Sequence, residues 1–140
     1  MTANAYDSYR ESEILSADPM KLVEILYRAA IESISDARGY LAGGAIRERS
    51  NAISKACEIL TELAMTVDAE RGGDIATNLM KLYEYMQFRL VEGNNHQIDK
   101  PLAEVDGLLR TLLEGWQNCV PATPLPIADS ERSAFRAQSF

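Results

Sequence analysis

The chain has 140 residues, a length that suits one domain and that can bury about two-thirds of its unfolded surface without disulfides or metals. Apolar residues make up 46% and charged residues 25%, and the formal net charge is −7 with a pI near 4.7. This acidic balance argues against a nucleic-acid partner and against docking on anionic lipid, because both require a basic surface.

The first 17 residues are predicted to form an N-terminal arm or short helix. Four apolar and aromatic side chains of this arm could anchor it to the body of the protein: Tyr6, Tyr9, Ile14 and Leu15. Asp18 and Pro19 then mark a helix start, because aspartate accepts hydrogen bonds from the free amides and proline fits the first turn. The arm is therefore predicted to end at residue 17.

Four helices are predicted after the arm, each bounded by start and stop signals. Paired glycines mark two of the turns, and prolines forbid continuation of the last helix. The predicted bounds are Asp18 to about Leu41, about Ile46 to Asp68, Asp74 to about Glu92, and Asp99 to Cys119. No segment alternates in the manner of a strand. Short links favour antiparallel neighbours, so we predict an all-α fold, an antiparallel four-helix bundle over residues 18–119 followed by a flexible tail over 120–140.

Helix three carries more apolar residues than one buried stripe needs. Its core stripe is predicted to consist of Ile75, Leu79, Leu82, Tyr83, Met86 and Leu90. Met80, Tyr85, Phe88 and Val91 spread over the remaining surface, where a helix should be polar. A wide core could cover these residues, as single exposed apolar residues are common. The alternative is a groove for an apolar peptide, to which Ile25, Ile59 and Met65 would add contacts at the edges of helices one and two.

No motif for catalysis or for a bound group is present. A di-iron bundle needs Glu-x-x-His pairs, but the chain has one histidine, His96, with Gly93 three residues before it. The paired glycines belong to no phosphate-binding pattern, and no serine or cysteine has a histidine partner of the usual kind. The sequence therefore predicts a protein that is not an enzyme and has no cofactor and no metal.

The sequence also favours the cytoplasm. The polar N-terminus lacks the hydrophobic run of a secretory signal, and no segment approaches the roughly 20 apolar residues of a membrane span. Cys57 and Cys119 have no metal-binding or redox spacing, although a single disulfide between them stays open.

Several motifs in series resemble those of the FliS family of flagellin-specific export chaperones. The start of helix one, ILSADP over 14–19, is similar to the family pattern V-x-T-A-S-P, and the segment over 53–63, ISKACEILTEL, to I-N-K-A-Q-x-I-I-x-E-L. The segment over 72–79, GGDIATNL, is similar to G-G-E-I-A-x-N-L. The segments LYEYM over 82–86 and RLVEGN over 89–94 are similar to L-Y-D-Y-M-x-R-R-L-x-E-A-N. Phe88 departs from this last pattern, which has an arginine there.

The resemblance implies a function. It implies a cytoplasmic chaperone that binds the disordered C-terminal segment of flagellin, prevents premature polymerisation and assists delivery to the flagellar type III export apparatus. Because an uncovered apolar groove could pair two molecules, the protein is expected to be a monomer or weak homodimer. The residues that would contact the partner are Tyr6, Tyr9, Ile14, Ile25, Ile59, Met65, Met80, Tyr85 and Phe88. Alternatives are a helical-bundle regulatory protein that binds a folded partner, a metal- or cofactor-bearing bundle enzyme, and a four-helix cytokine.

Overall fold

The computed structural model describes residues 19–119, and these form four helices connected by two or three residues each. The helices are α1 (Pro19–Gly43), α2 (Ile46–Met65), α3 (Ala69–His96) and α4 (Lys100–Cys119). The predicted all-α bundle is confirmed. Each helix packs chiefly on two others: α1 and α3 each contact both α2 and α4. The short links make consecutive helices antiparallel.

The start of α3 differs from the prediction. The carboxylate of Asp68 accepts hydrogen bonds from the amides of Glu70 and Arg71, both at 3.1 Å, and this cap begins the helix at Ala69. Gly73 then has φ 54° and ψ −128°, which is non-helical. Positive φ of this kind is readily adopted by glycine. The glycine pair therefore marks a kink inside α3, and the predicted start at Asp74 is wrong.

The end of α3 also differs from the prediction, because Gly93 lies inside the helix. A Cβ atom added there would lie 3.1 Å from the Ile98 carbonyl oxygen and 3.1 Å from Leu102 Cδ2. Gly93 thus lets the link to α4 and the first turn of α4 approach closely. The helix ends only after His96, where Gln97 adopts the left-handed conformation. Asp99, predicted to cap α4, uses its carboxylate to accept two hydrogen bonds from Arg38 near the end of α1, at 2.8 and 2.9 Å.

The core lies between all four helices. Besides Pro101, its largest fully buried members are branched aliphatic side chains and one methionine. They are Ile34, Leu60, Leu63, Met86, Leu90, Leu102, Val105 and Leu109. The core prediction for α3 is correct at Tyr83, Met86 and Leu90, with Leu79 and Leu82 partly buried. It is wrong at Ile75, which is 65% exposed. Ile75 follows the kink at Gly73, and the adjacent Ala76 takes the buried position instead.

A tyrosine pair crosses the core from α1 to α3. The hydroxyl oxygens of Tyr27 and Tyr83 lie 2.7 Å apart, and the two side chains are buried. Burial raises the pKa of both phenols, because the phenolate would lose its hydration. Each hydroxyl therefore stays protonated and relies on the other for its hydrogen bond.

Removing one hydroxyl of this pair is expected to destabilise the protein more than removing both. Tyr83→Phe leaves the Tyr27 hydroxyl buried without its partner, which should lower the free energy of unfolding by about 1–3 kcal/mol. The double variant Tyr27→Phe/Tyr83→Phe has no orphaned hydroxyl and should be more stable than either single variant. Urea unfolding of the three variants measures this. Strictly additive losses would contradict the argument.

Candidate protein-binding surface

Large exposed apolar side chains are concentrated on α3. Nine such residues occur among the described residues, and five of them belong to α3. Apart from Ile75 beside the kink, these are Met80, Tyr85, Phe88 and Val91, which spread over the outer side of the helix. We call these four residues the α3 ridge. Phe88 is 66% exposed and the other three are 36–46% exposed. Tyr83, Met86 and Leu90 face the core on the opposite side of the same helix, so Phe88 stands near the crest of the outer surface.

Polar contacts to α4 flank one side of the ridge. The Tyr85 hydroxyl donates to Glu104 Oε1 at 2.8 Å, and Arg89 Nε donates to the same oxygen at 2.7 Å. Arg89 Nη1 also donates to Glu92 Oε1 at 2.6 Å. The Arg89 guanidinium, and next the Tyr85 hydroxyl, lower the pKa of Glu104, while the bond to Glu104 raises the pKa of Tyr85. At neutral pH Glu104 is thus a carboxylate that holds both donors.

Polar contacts to α2 flank the other side. The side-chain amide of Gln87 donates to the Cys57 carbonyl oxygen at 2.8 Å and to Thr61 Oγ1 at 2.9 Å. These bonds connect the middle of α3 to the middle of α2. Burial raises the pKa of the half-buried Cys57 thiol, so this thiol is a poor nucleophile at neutral pH. Both flanks of the ridge are therefore occupied by side chains already bonded within the bundle.

The predicted partner-binding residues fall into three groups. Met65, Met80, Tyr85 and Phe88 are exposed, Met65 at 74% near the end of α2. Ile25 and Ile59 are buried, each only 8% exposed, and Ile59 belongs to the main core. Ile59 therefore contributes to helix packing, and neither residue belongs to an exposed surface. Tyr6, Tyr9 and Ile14, like the arm and the tail as a whole, lie outside the described residues.

The flanking residues Gln87 and Glu104 were not predicted from the sequence. In the sequence, both residues look like ordinary polar residues on the solvent side of a helix. Their hydrogen-bond partners lie on other helices. For Gln87 the only sequence signal is that it directly precedes Phe88. Glu104 has no such signal, because its place beside the ridge depends on how α4 packs on α3.

Two clefts lie between other helices. A cleft of about 560 Å³ between α1 and α4 is lined by apolar and oppositely charged side chains: Arg28, Ile31, Glu32, Ser35, Arg110, Leu113, Glu114 and Gln117. A smaller cleft of about 360 Å³ lies between α1 and α2.

Across residues 19–119 no group of three or more histidine, cysteine, aspartate or glutamate side chains could hold a metal ion. In the same range no helix combines the length and apolarity needed to cross a membrane.

Comparison with known proteins identifies the family. The family model of the flagellar protein FliS matches residues 2–123. The chain belongs to the FliS family. It is 38% identical over 112 residues to the flagellar secretion chaperone FliS of Salmonella typhimurium, which covers 79% of this chain and 83% of that protein. It is 39% identical over 106 residues to the flagellar secretion chaperone FliSB of Pseudomonas aeruginosa, 76% of this chain and 84% of that protein.

A more distant relative covers a similar part of the chain. The flagellar secretion chaperone FliS of Bacillus subtilis is 26% identical over 117 residues, 84% of this chain and 86% of that protein. These matches confirm the resemblance drawn from the motifs. Membership of this family also supports the prediction that the protein is not an enzyme, because the matched relatives are named as chaperones.

Proposed function

We propose that the protein is a flagellar secretion chaperone. It binds the disordered C-terminal segment of flagellin in the cytoplasm, prevents premature polymerisation and assists delivery to the flagellar type III export apparatus. The observation that carries this proposal is the α3 ridge, an exposed apolar surface on the outside of a packed bundle. The names of the relatives support the secretion-chaperone role.

The chemistry of the ridge fits an apolar client segment. Because Tyr85, Gln87 and Arg89 are already hydrogen-bonded within the bundle, a client gains mainly apolar contacts there. Fully burying one large apolar side chain contributes about 1.5–3 kcal/mol. Met80 and Phe88 together could therefore anchor a short client helix.

The ridge alone is too small for a stable complex with a disordered chain. Such binding buries roughly 1,000–3,000 Å² and costs about 2–5 kcal/mol in ordering the client. We therefore expect contacts beyond the ridge, and Met65 on α2 offers a further exposed apolar side chain. Without client, an uncovered ridge would leave the protein a monomer or a weak homodimer, because its area is below that of a standard interface.

The alternative function is a regulatory bundle that binds a folded protein, and the exposed ridge by itself fits this too. Titration calorimetry separates the two. The full-length protein is titrated with a synthetic peptide of a flagellin C-terminal segment, and with a peptide of matched length and charge from the flagellin N-terminal segment as control.

We expect the C-terminal peptide to bind with a dissociation constant of roughly micromolar or tighter and with a negative heat-capacity change, the mark of apolar burial. The control peptide should give no binding. Absence of binding to the C-terminal peptide, or equal binding of both peptides, would contradict the proposal. Binding to folded protein alone would favour the regulatory function.

A further inference from the structure

Glu104 lies at the centre of the contacts between the ridge and α4. One oxygen, Oε1, accepts from both the Tyr85 hydroxyl and Arg89 Nε, at 2.8 and 2.7 Å. The two donors are four residues apart on α3, and the acceptor is on another helix. A half-exposed tyrosine would otherwise be free to change rotamer, so this shared acceptor restricts the ring of Tyr85 to one arrangement.

The same carboxylate also controls the charge next to the ridge. Arg89 is only 20% exposed, because its guanidinium is engaged by Glu104 and Glu92. Without Glu104 the guanidinium would lose one of its two carboxylates and could turn into solvent beside Phe88. A hydrated cation at that position would oppose the burial of an apolar client side chain.

We propose that Glu104 is a positioning residue for client binding. It acts through Tyr85 and Arg89, which it fixes before the client arrives, so the client does not bear the entropy cost of ordering them. This inference rests on the proposed chaperone function and deepens it, since it assigns part of the binding strength to a residue beside the apolar surface.

Client affinity in a double-mutant cycle tests this role. Glu104→Ala is expected to weaken binding of the flagellin C-terminal peptide roughly three- to tenfold, the size expected for losing preorganised side chains. In a Tyr85→Ala background the same change should have a smaller effect, because only the positioning of Arg89 then remains to be lost. Glu104→Gln keeps an oxygen acceptor for Tyr85 but no charge for Arg89, so it should recover part of the affinity. A purely structural role would reduce affinity equally in both backgrounds.

Two further variants make the test independent of folding. Tyr85→Phe removes the donor and leaves the pairing of Arg89 with Glu104 in place, so it should weaken binding by a few-fold even if Glu104→Ala does not fold. Asp106→Ala is the matched control, because this carboxylate on the same helix pairs with Arg110 at 3.1 Å and Arg38 at 3.9 Å. Its affinity should equal that of the wild type.

The outcomes distinguish this inference from the function on which it rests. Failure of the wild type to bind the peptide would overturn the proposed function. Wild-type binding with unchanged affinity in Tyr85→Phe or in folded Glu104→Ala, or an equal loss in the Tyr85→Ala background, would overturn the positioning role alone.

Discussion

Replacing Phe88 by aspartate is expected to weaken binding of the flagellin C-terminal peptide at least tenfold and up to about 100-fold, because burying a phenylalanine contributes about 1.5–3 kcal/mol. The introduced carboxylate would also have to lose its hydration on binding. Phe88 is 66% exposed, so its replacement removes little packing in the free protein. Titration calorimetry on the variant and the wild type measures the change.

The free energy of unfolding should change by less than about 1 kcal/mol in Phe88→Asp, since only the like charges of Glu84 and Glu92, four residues away on either side, oppose the new carboxylate. Urea unfolding followed by circular dichroism checks this. Ile46→Asp is the matched control, because Ile46 is 59% exposed at the first position of α2, on a different helix from the ridge. Unchanged affinity in Phe88→Asp, or an equal loss in Ile46→Asp, would exclude the ridge as the client site.

The identity of residue 88 has a physical consequence for the client. The motif that this region resembles has an arginine at this position, which could pair with Glu84 and Glu92 at a spacing of four residues. Phenylalanine removes those pairs and leaves an uncharged ring among acidic neighbours. We therefore expect the client residue opposite Phe88 to be apolar, with basic rather than acidic residues beside it. A client carboxylate would be repelled chiefly by Glu84, because Glu92 is already paired with Arg89 at 2.6 Å.

The helices were predictable from periodicity, but three of their ends were not. The second helix was predicted to run to Asp68, but α2 ends at Met65, and both ends of α3 lie beyond the predicted bounds. A pair of glycines usually marks a turn, and the sequence alone does not show that the Asp68 carboxylate begins α3 earlier. The kink at Gly73 then lets the helix continue in a new direction. Similarly, Gly93 resembles a stop signal, whereas its actual role is close contact with Ile98 and Leu102. Tertiary packing thus decides the role of Gly93, whereas at Gly73 the helix has already begun at the Asp68 cap.

The ridge was predictable because its residues exceed what one buried face of α3 can accommodate. Ile25 and Ile59 were less predictable, because each flanks a helical stripe, where the local pattern does not decide whether the side chain is covered. Both are 8% exposed. The bond between Tyr85 and Glu104 was not predictable either, since it depends on the axial register of α4 against α3, which no local pattern specifies.

A buried arginine connects the start of α2 to the end of α3. Arg49 is only 4% exposed, and its Nε donates to Asn94 Oδ1 at 2.7 Å, while Nη2 donates to the Asn94 carbonyl oxygen at 3.3 Å. Within residues 19–119 it has no carboxylate partner. Asn94 lies in the last turn of α3, where the helix dipole is negative, and this partial negative charge offsets part of the positive charge of the guanidinium. Asn94 is therefore the residue that makes burial of this guanidinium tolerable.

Asn94→Ala is consequently expected to lower the free energy of unfolding by about 2–4 kcal/mol, because a buried charged donor loses its main acceptor. Arg49→Met removes the charge together with the need for an acceptor, so it should cost less than Asn94→Ala. The double variant should be more stable than the sum of the two single losses predicts. Urea unfolding measures all three.

Asn95→Ala is the matched control, because Asn95 is the same residue type on the same turn and is exposed. It should change the stability by less than about 0.5 kcal/mol. A greater loss in Arg49→Met than in Asn94→Ala would show that packing of the arginine stem, and not satisfaction of its charge, holds this end of the bundle. The asymmetry between the two single variants thus decides whether Asn94 acts as a partner to a buried charge or as an ordinary helix residue.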